Sequence, residues 1–194
     1  FQAVGKATRL NFDLKVAQSY GAVVEAICTG AADVAFVGPV TYLQAKERGC
    51  AELLAVAVEN GESIYYAGIF GREDSPVRSL KDLRGKTVAF GDVNSTSSFV
   101  YPVAMLVEEG IDPVKDLATV RLTGTHANSL AALVEDRVDA AALSFDSYEK
   151  AVRNGIPGAQ DLRIIARSED RPVQADPSVA GGECTETEPL TGCL

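Results

Sequence analysis

Short β-branched runs alternate with stretches of helical apolar period along most of the chain, and this pattern predicts an α/β architecture. The runs Phe12–Ala17, Asp33–Val37, Leu53–Val58, Ile64–Phe70, Thr87–Phe90, Thr119–Leu122, Val138–Leu143 and Leu162–Ala166 read as strands. Between them, Ala22, Val23, Ala26 and Ile27, then Val103, Leu106 and Val107, then Leu130, Leu133 and Val134 recur at the spacing of one helix face. Turn residues separate the elements at Gly38-Pro39, Asp74-Ser75-Pro76, Gly110 with Asp112-Pro113, and Ile156-Pro157-Gly158. Ser79–Lys86 reads as a helix of one to two turns, stopped by Gly85 and feeding the strand Thr87–Phe90. From about Asp170, Pro, Gly, Thr and Glu replace the periodic apolar residues, which predicts a poorly ordered end.

The chain also echoes itself. The stretch beginning Tyr20-Gly-Ala-Val-Val-Glu resembles the one beginning His126-Ala-Asn-Ser-Leu-Ala, 106 residues later. Each leads from an aromatic or imidazole side chain to an aspartate, Asp33 or Asp139, that opens a short apolar run. Ser19 and Thr125 stand immediately before as candidate N-caps. Two explanations are open: two similar lobes that point helix N-termini at a shared space, or the general likeness of helix–turn–strand units.

Composition narrows the classes. A chain of 194 residues with 46% apolar content can build a sizeable core, as one domain or two small ones, and is neither disordered nor fibrous. The net charge is −9, and six acids against one base fall after Ser168. No basic run marks a nucleic-acid partner. The longest apolar stretches, such as Phe99–Val107, fall far short of the ~20 residues a membrane span needs. No basic and apolar leader opens the sequence at Phe1, so an export signal is expected to have been removed or to lie outside it. Cys28, Cys50, Cys184 and Cys193 form no CxxC and have no histidine nearby, so neither a zinc site nor any cofactor is expected. Cys28 falls on the apolar side of its helix and reads as a small buried hydrophobe, and a Cys184–Cys193 bridge is open.

The candidate chemistry centres on Phe90-Gly-Asp-Val-Asn-Ser-Thr-Ser-Ser-Phe99. A strand that opens through Gly-Asp into Ser95, Thr96 and Ser97 places hydroxyls and unpaired amides at a helix start, where they favour an anion. Plain capping needs only one of the three. His126, the only histidine, can donate through both nitrogens beside an anion. A Ser97–His126 hydrolase is weakened by the lack of a G-x-S-x-G elbow or an acid to orient the ring. Walker A and GxGxxG loops are both absent. Of Tyr65 and Tyr66, at a strand entrance, one must face away from the other.

Taken together, Ser19-Tyr20-Gly-Ala-Val-Val-Glu-Ala, Asp33-Val-Ala-Phe-Val-Gly-Pro, Ser79-Leu-Lys-Asp-Leu-Arg-Gly-Lys-Thr-Val-Ala-Phe-Gly-Asp, Asn94-Ser-Thr-Ser-Ser-Phe-Val-Tyr-Pro102, Gly124-Thr-His126 and Val138-Asp139 carry a resemblance. The series is similar to the substrate-binding proteins of ABC importers for phosphonate, phosphite and phosphate, and is collinear from about Asp13 to Arg167. The resemblance implies a type II periplasmic-binding-protein fold, with two α/β lobes joined by two crossover strands and closing over a ligand. Residues 1–64 would belong to an incomplete first lobe, 65–166 to the second lobe with its crossovers, and 167–194 to a return segment and acidic tail. It further implies a non-catalytic, monomeric, periplasmic receptor that binds a small phosphorus oxyanion and presents it to an ABC permease. By the same resemblance Ser95, Thr96 and Ser97 bind the phosphonyl oxygens, and His126, Tyr20 and Tyr65 complete the site. The sequence departs from the family pattern at Ser98, usually glycine. It departs again at Gln174, in the register of a cleft aspartate, with Asp176-Pro177 two residues on. A ligand-sensing domain of a signalling protein is the alternative reading.

Overall fold

In the computed structural model, which describes residues 2–58 and 63–168, five strands form one mixed sheet. They are β1 (Ala67–Arg72), β2 (Thr87–Phe90), β3 (Thr119–Leu122), β4 (Ala140–Ser144) and β5 (Leu162–Arg167), in the spatial order β3-β2-β4-β1-β5. β2 pairs in parallel with β3 and β4, whereas β1 is antiparallel to β4 and β5. The expected tail, the Cys184–Cys193 pair, Gln174 and Asp176 lie outside the described residues.

The central strands are apolar on both faces, as a sheet covered on two sides requires. Phe70, Ala89, Ala141 and Leu143 point to a cluster with Leu130, Leu133 and Phe145, supplied by α5 (His126–Val134) and α6 (Phe145–Arg153). Their neighbours Ile69, Val88, Phe90, Ala140 and Ala142 face the opposite cluster with Ile111 and with Leu106 of α4 (Tyr101–Glu108). Successive residues thus alternate between two cores. The predicted turn at Ser79–Lys86 is a 3₁₀ helix over Leu80–Leu83, closed by a Ser79–Asp82 capping box and ended by Gly85 at φ 71°. Asp139 fixes the β2–β4 register: its carboxylate accepts from Thr87 N at 2.8 Å while its own amide donates to Thr87 O at 2.9 Å.

The two strands that enter and leave the sheet lie side by side. Where they begin and end, Ser168 N donates to Ala67 O and Ser168 Oγ accepts from Ala67 N, at 3.0 and 2.9 Å. The predicted strand Ile64–Phe70 therefore starts late, at Ala67, opposite Ser144 at the end of β4 and next to the end of β5.

The internal echo extends further than the aspartates. α2 (Tyr20–Cys28) and α3 (Pro39–Glu47) are each nine residues long, as are α5 and α6, and each lies 106 positions before its counterpart. Ser19 and Thr125 cap α2 and α5 through their side chains. The left-handed residues Gly30 and Gly49 recur as Asp136 and Gly155.

The strands expected before residue 60 do not form. Phe12–Ala17, Asp33–Val37 and Leu53–Val58 carry no ladder, and Leu14, Val16, Phe36 and Leu54 are 72–88% exposed. The repeat supplies the reason. Residues 13–16 and 34–38 are the counterparts of β3 and β4, which in the sheet are joined only through β2 between them. No described residue occupies that intermediate position before residue 60, so the backbone groups have no partner strand. The predicted face of α2 holds only in part: Val23, Ala26 and Ile27 are half-buried, Ala22 is exposed, and Val24 is the residue the helix buries fully. α2 packs on α3, which follows the short α1 (Gln2–Thr8) and buries Thr41 and Ala45, rather than on a sheet.

Cys28 is not a buried hydrophobe. Half-buried at the end of α2, it forms a disulfide with Cys50, just past α3, with Cα atoms 4.8 Å apart. The repeat places Val134 and Ile156 at these two positions in the sheet region, so the bridge stands where the better-packed unit has two apolar side chains. Closing a loop of 22 residues is worth about 3 kcal/mol in chain entropy. Cys28→Ala/Cys50→Ala should lose stability of that order in urea unfolding, and equal midpoints with and without the bridge would refute this.

Candidate functional site

The parallel strands β2, β3 and β4 all end at one edge, the position where open α/β sheets hold ligands. Because Val88 is in register with Ala140, the chain leaves β2 and β4 at the same level, through Gly91–Ser98 and through Ser144. Ser144, which caps α6, donates its amide to Nδ1 of His126 at 3.1 Å. The same edge therefore carries the Ser95–Ser97 turn and the histidine.

The turn has an unusual form for a local reason. Thr96–Val100 is a π-helical turn that continues into α4, with Val100 N donating to Ser95 O at 3.1 Å and Tyr101 N to Thr96 O. Pro102 has no N–H, so Ser98 O loses its ordinary helical donor. It accepts instead from Gly91 N at 3.0 Å, which draws the end of β2 against the turn. Gly91 must be glycine here, since a Cβ would lie 2.1 Å from Ser98 Oγ and 2.9 Å from its Cβ. Ser98 uses that space to donate to Ser95 Oγ at 2.7 Å. Ser95 Oγ also caps the helix by accepting from Ser98 N at 3.2 Å. With two bonds accepted, its own proton is left to donate. The amides of Thr96 and Ser97, in the first turn, have no intrahelical acceptor.

Tyr65 reaches the turn from the strand side. Its hydroxyl shares hydrogen bonds with the hydroxyls of Thr96 and Ser97. Burial pushes the phenol upward, outweighing those bonds, and the neighbouring Tyr20 and Asp146 add to the rise, so Tyr65 is a neutral donor. Tyr66 faces away, as alternation requires, and packs in the core beneath Arg167, whose guanidinium lies 4.0 Å from its ring centre.

The N-terminal helices complete the enclosure. Tyr20 N, at the start of α2, donates to Asp92 Oδ2 at 3.4 Å, and Val40 N, at the start of α3, donates to Thr96 Oγ1 at 3.0 Å. Gly38 lies so close that a Cβ there would be 3.4 Å from Thr96 Oγ1 and 3.5 Å from the Tyr65 hydroxyl. Tyr20, Tyr65, Ser95, Thr96 and Ser97 are thus brought together, and His126 joins them at the same sheet edge.

His126 departs from expectation in its charge. Burial lowers its pKa, and Nδ1 accepts a backbone amide, so the ring is neutral with its proton on Nε2 and offers one donor rather than two. Nδ1 accepts the Ser144 amide, whereas in a serine triad that nitrogen donates to a carboxylate. Gly38 and Val40 were not assigned to the site from the sequence, and Asp92 and Asn94 stood in its motif without a role. Extending the 106-residue echo past the aspartates would have aligned Gly38 with Ser144 and pointed to the start of α3.

A parallel-edge site between helix starts, entered by two adjacent crossover strands, defines the class of type II periplasmic binding folds. The chain belongs to the family described as ABC transporter, phosphonate, periplasmic substrate-binding protein, whose family model matches residues 1–189. It is 33% identical over 152 residues to the "Phosphate-import protein PhnD" of Mycolicibacterium smegmatis, covering 73% of this chain and 47% of that protein. It is 26% identical over 176 residues to the "Phosphonates-binding periplasmic protein" of Escherichia coli, covering 88% and 51% respectively. The crystal structure of a binding-protein component of an ABC phosphonate transporter from Pseudomonas aeruginosa shares the fold, with a TM-score of 0.80 at 23% identity over 88% of this chain and 58% of that one. The chain spans about half the length of the curated relatives it matches.

Two outcomes test this geometry. Gly91→Ala should destabilise the protein by about 1–3 kcal/mol through overpacking, and adding Ser98→Gly should recover most of the loss. A melting temperature for the double variant no higher than that of Gly91→Ala would place the strain elsewhere. For His126, whose folded pKa is depressed, the stabilising term is complete above about 6.5 and is lost as pH falls through the folded value, because the unfolded ring takes the proton first. Thermal unfolding of His126→Asn should therefore lose less stability than the native protein below pH ~6.5, and parallel curves would contradict the assignment.

Proposed function

We propose that this chain forms the ligand-binding part of a periplasmic solute receptor, a non-catalytic monomer that delivers a small phosphorus oxyanion to an ABC permease. The observation that carries the reading is the Ser95–Thr96–Ser97 turn, whose Thr96 and Ser97 hydroxyls meet Tyr65, with Thr96 also meeting the start of α3, within a family of phosphonate-binding proteins. In this reading residues 1–64 belong to the first lobe and 65–166 to the second, with 167–194 as the return segment.

The donors suit a tetrahedral oxyanion. Ser95 Oγ, Thr96 Oγ1, Ser97 Oγ, two first-turn amides, the hydroxyls of Tyr20 and Tyr65, and His126 Nε2 supply donors, and no lysine or arginine is among them. Hydrogen bonds from neutral groups to an ionised oxygen are roughly twice as strong as neutral pairs. An acidic protein binds an anion in this way because the local dipoles act at contact range, while distant charge is screened over ~8 Å. The Cys28–Cys50 bridge agrees with an oxidising compartment, and no helix among the described residues is long and apolar enough to cross a membrane. The relatives' names differ between phosphate and phosphonates, so both anions belong in the test.

Calorimetry with phosphate, phosphite, methylphosphonate and 2-aminoethylphosphonate should show binding of at least one. Thr96→Ala and Ser97→Ala should each weaken it by about 1.5–3 kcal/mol, the size of a hydrogen bond to a charged group. Undiminished affinity in both variants, or turnover of a phosphate ester, would refute the receptor reading.

A further inference from the structure

Four hydrogen bonds run from the N-terminal helices to the turn. Besides those of Tyr20 N and Val40 N, Thr41 Oγ1 donates to Asn94 O at 3.2 Å and Gln44 Nε2 to Asn94 Oδ1 at 2.8 Å. Thr41 and Gln44 are three residues apart on α3 and so lie on one face. Asn94 receives half of the crossing bonds and is itself held by Asp92, whose Oδ1 accepts Asn94 N at 2.8 Å while Oδ2 takes Tyr20 N. None of Gln44, Asp92 and Asn94 is among the six residues assigned to the ligand.

We infer that Gln44 and Asn94, braced by Asp92, form a clasp that closes the first lobe over the second and sets how long a bound anion is retained. The clasp residues are positioning residues, and the inference rests on the receptor reading for its ligand. For an anion to leave, the starts of α2 and α3 must swing off the turn, and the Gln44–Asn94 pair has to break. It contributes to the closed state without contacting the guest. Its loss therefore speeds release more than it slows capture, and does so equally for every anion the site accepts.

Gln44→Ala is the first variant, because alanine suits a helix and Gln44 is only half-buried. It should weaken phosphate, phosphite and methylphosphonate by a common factor of about three- to tenfold, the range of one neutral hydrogen bond. Stopped-flow should assign that factor to the dissociation rate, with the melting temperature unchanged. Asn94→Ala, which removes the same side-chain bond and keeps the main-chain ones, should lose a similar factor, and adding Gln44→Ala to it should cost nothing more. Unchanged affinity, a factor that differs among the anions, or a loss confined to association would overturn the clasp. If the native protein bound none of the anions, the receptor reading would fail by itself, and amide exchange would then judge the clasp. Faster exchange of Val40 N–H in Gln44→Ala would uphold it, and unchanged exchange would overturn it.

Discussion

The arrangement depends on one hydrogen bond, Gly91 N to Ser98 O. It exists because Pro102 leaves that carbonyl without a helical donor and because Gly91 presents no side chain to Ser98. This contact turns the helix start back against the sheet edge. As a result the hydroxyls of Thr96 and Ser97 meet Tyr65, and the loop at Asp92–Asn94 meets α2 and α3. A turn of ordinary α geometry would advance these side chains by a different angle. The π turn is thus a consequence of composition at two positions, not an irregularity imposed from outside.

The repeat shows what each half contributes. Within the sheet region, Asp139 binds the first amide of β2, and α5 and α6 sit on a two-sided core. Its counterpart Asp33 is exposed, and the helices beside it rely on each other, on the Arg48–Glu25 ion pair and on the Cys28–Cys50 bridge. One pair of helices is held by burial of apolar surface, the other by a covalent link and polar contacts. Both nevertheless deliver their N-termini to one place.

Much of this was legible in the residues. Central strands buried on both faces, such as Thr87–Phe90 and Ala140–Ser144, are found at or within two residues of where periodicity puts them, because burial and period agree there. The runs Phe12–Ala17, Asp33–Val37 and Leu53–Val58 have the same local character but lack a neighbour, and local pattern carries no information about pairing. The hydroxyl turn was visible from spacing. The role of Asn94 was not, since its partners lie about 50 residues away, and the neutral state of His126 was hidden because burial belongs to the fold. Cys28 failed as a reading of polarity because its partner was found only when α2 and α3 folded side by side.

The paired bonds between Ala67 and Ser168 limit how the two parts of the molecule can move. Two strands leaving a sheet side by side, stitched at their last residues, bend readily about the line that joins them but resist shearing and twisting. In the two-lobe reading proposed above, such a pair of strands would confine motion to a single swing, like that of a jaw on one pin. For the receptor proposed above, the opening would then lie on the side away from the pin.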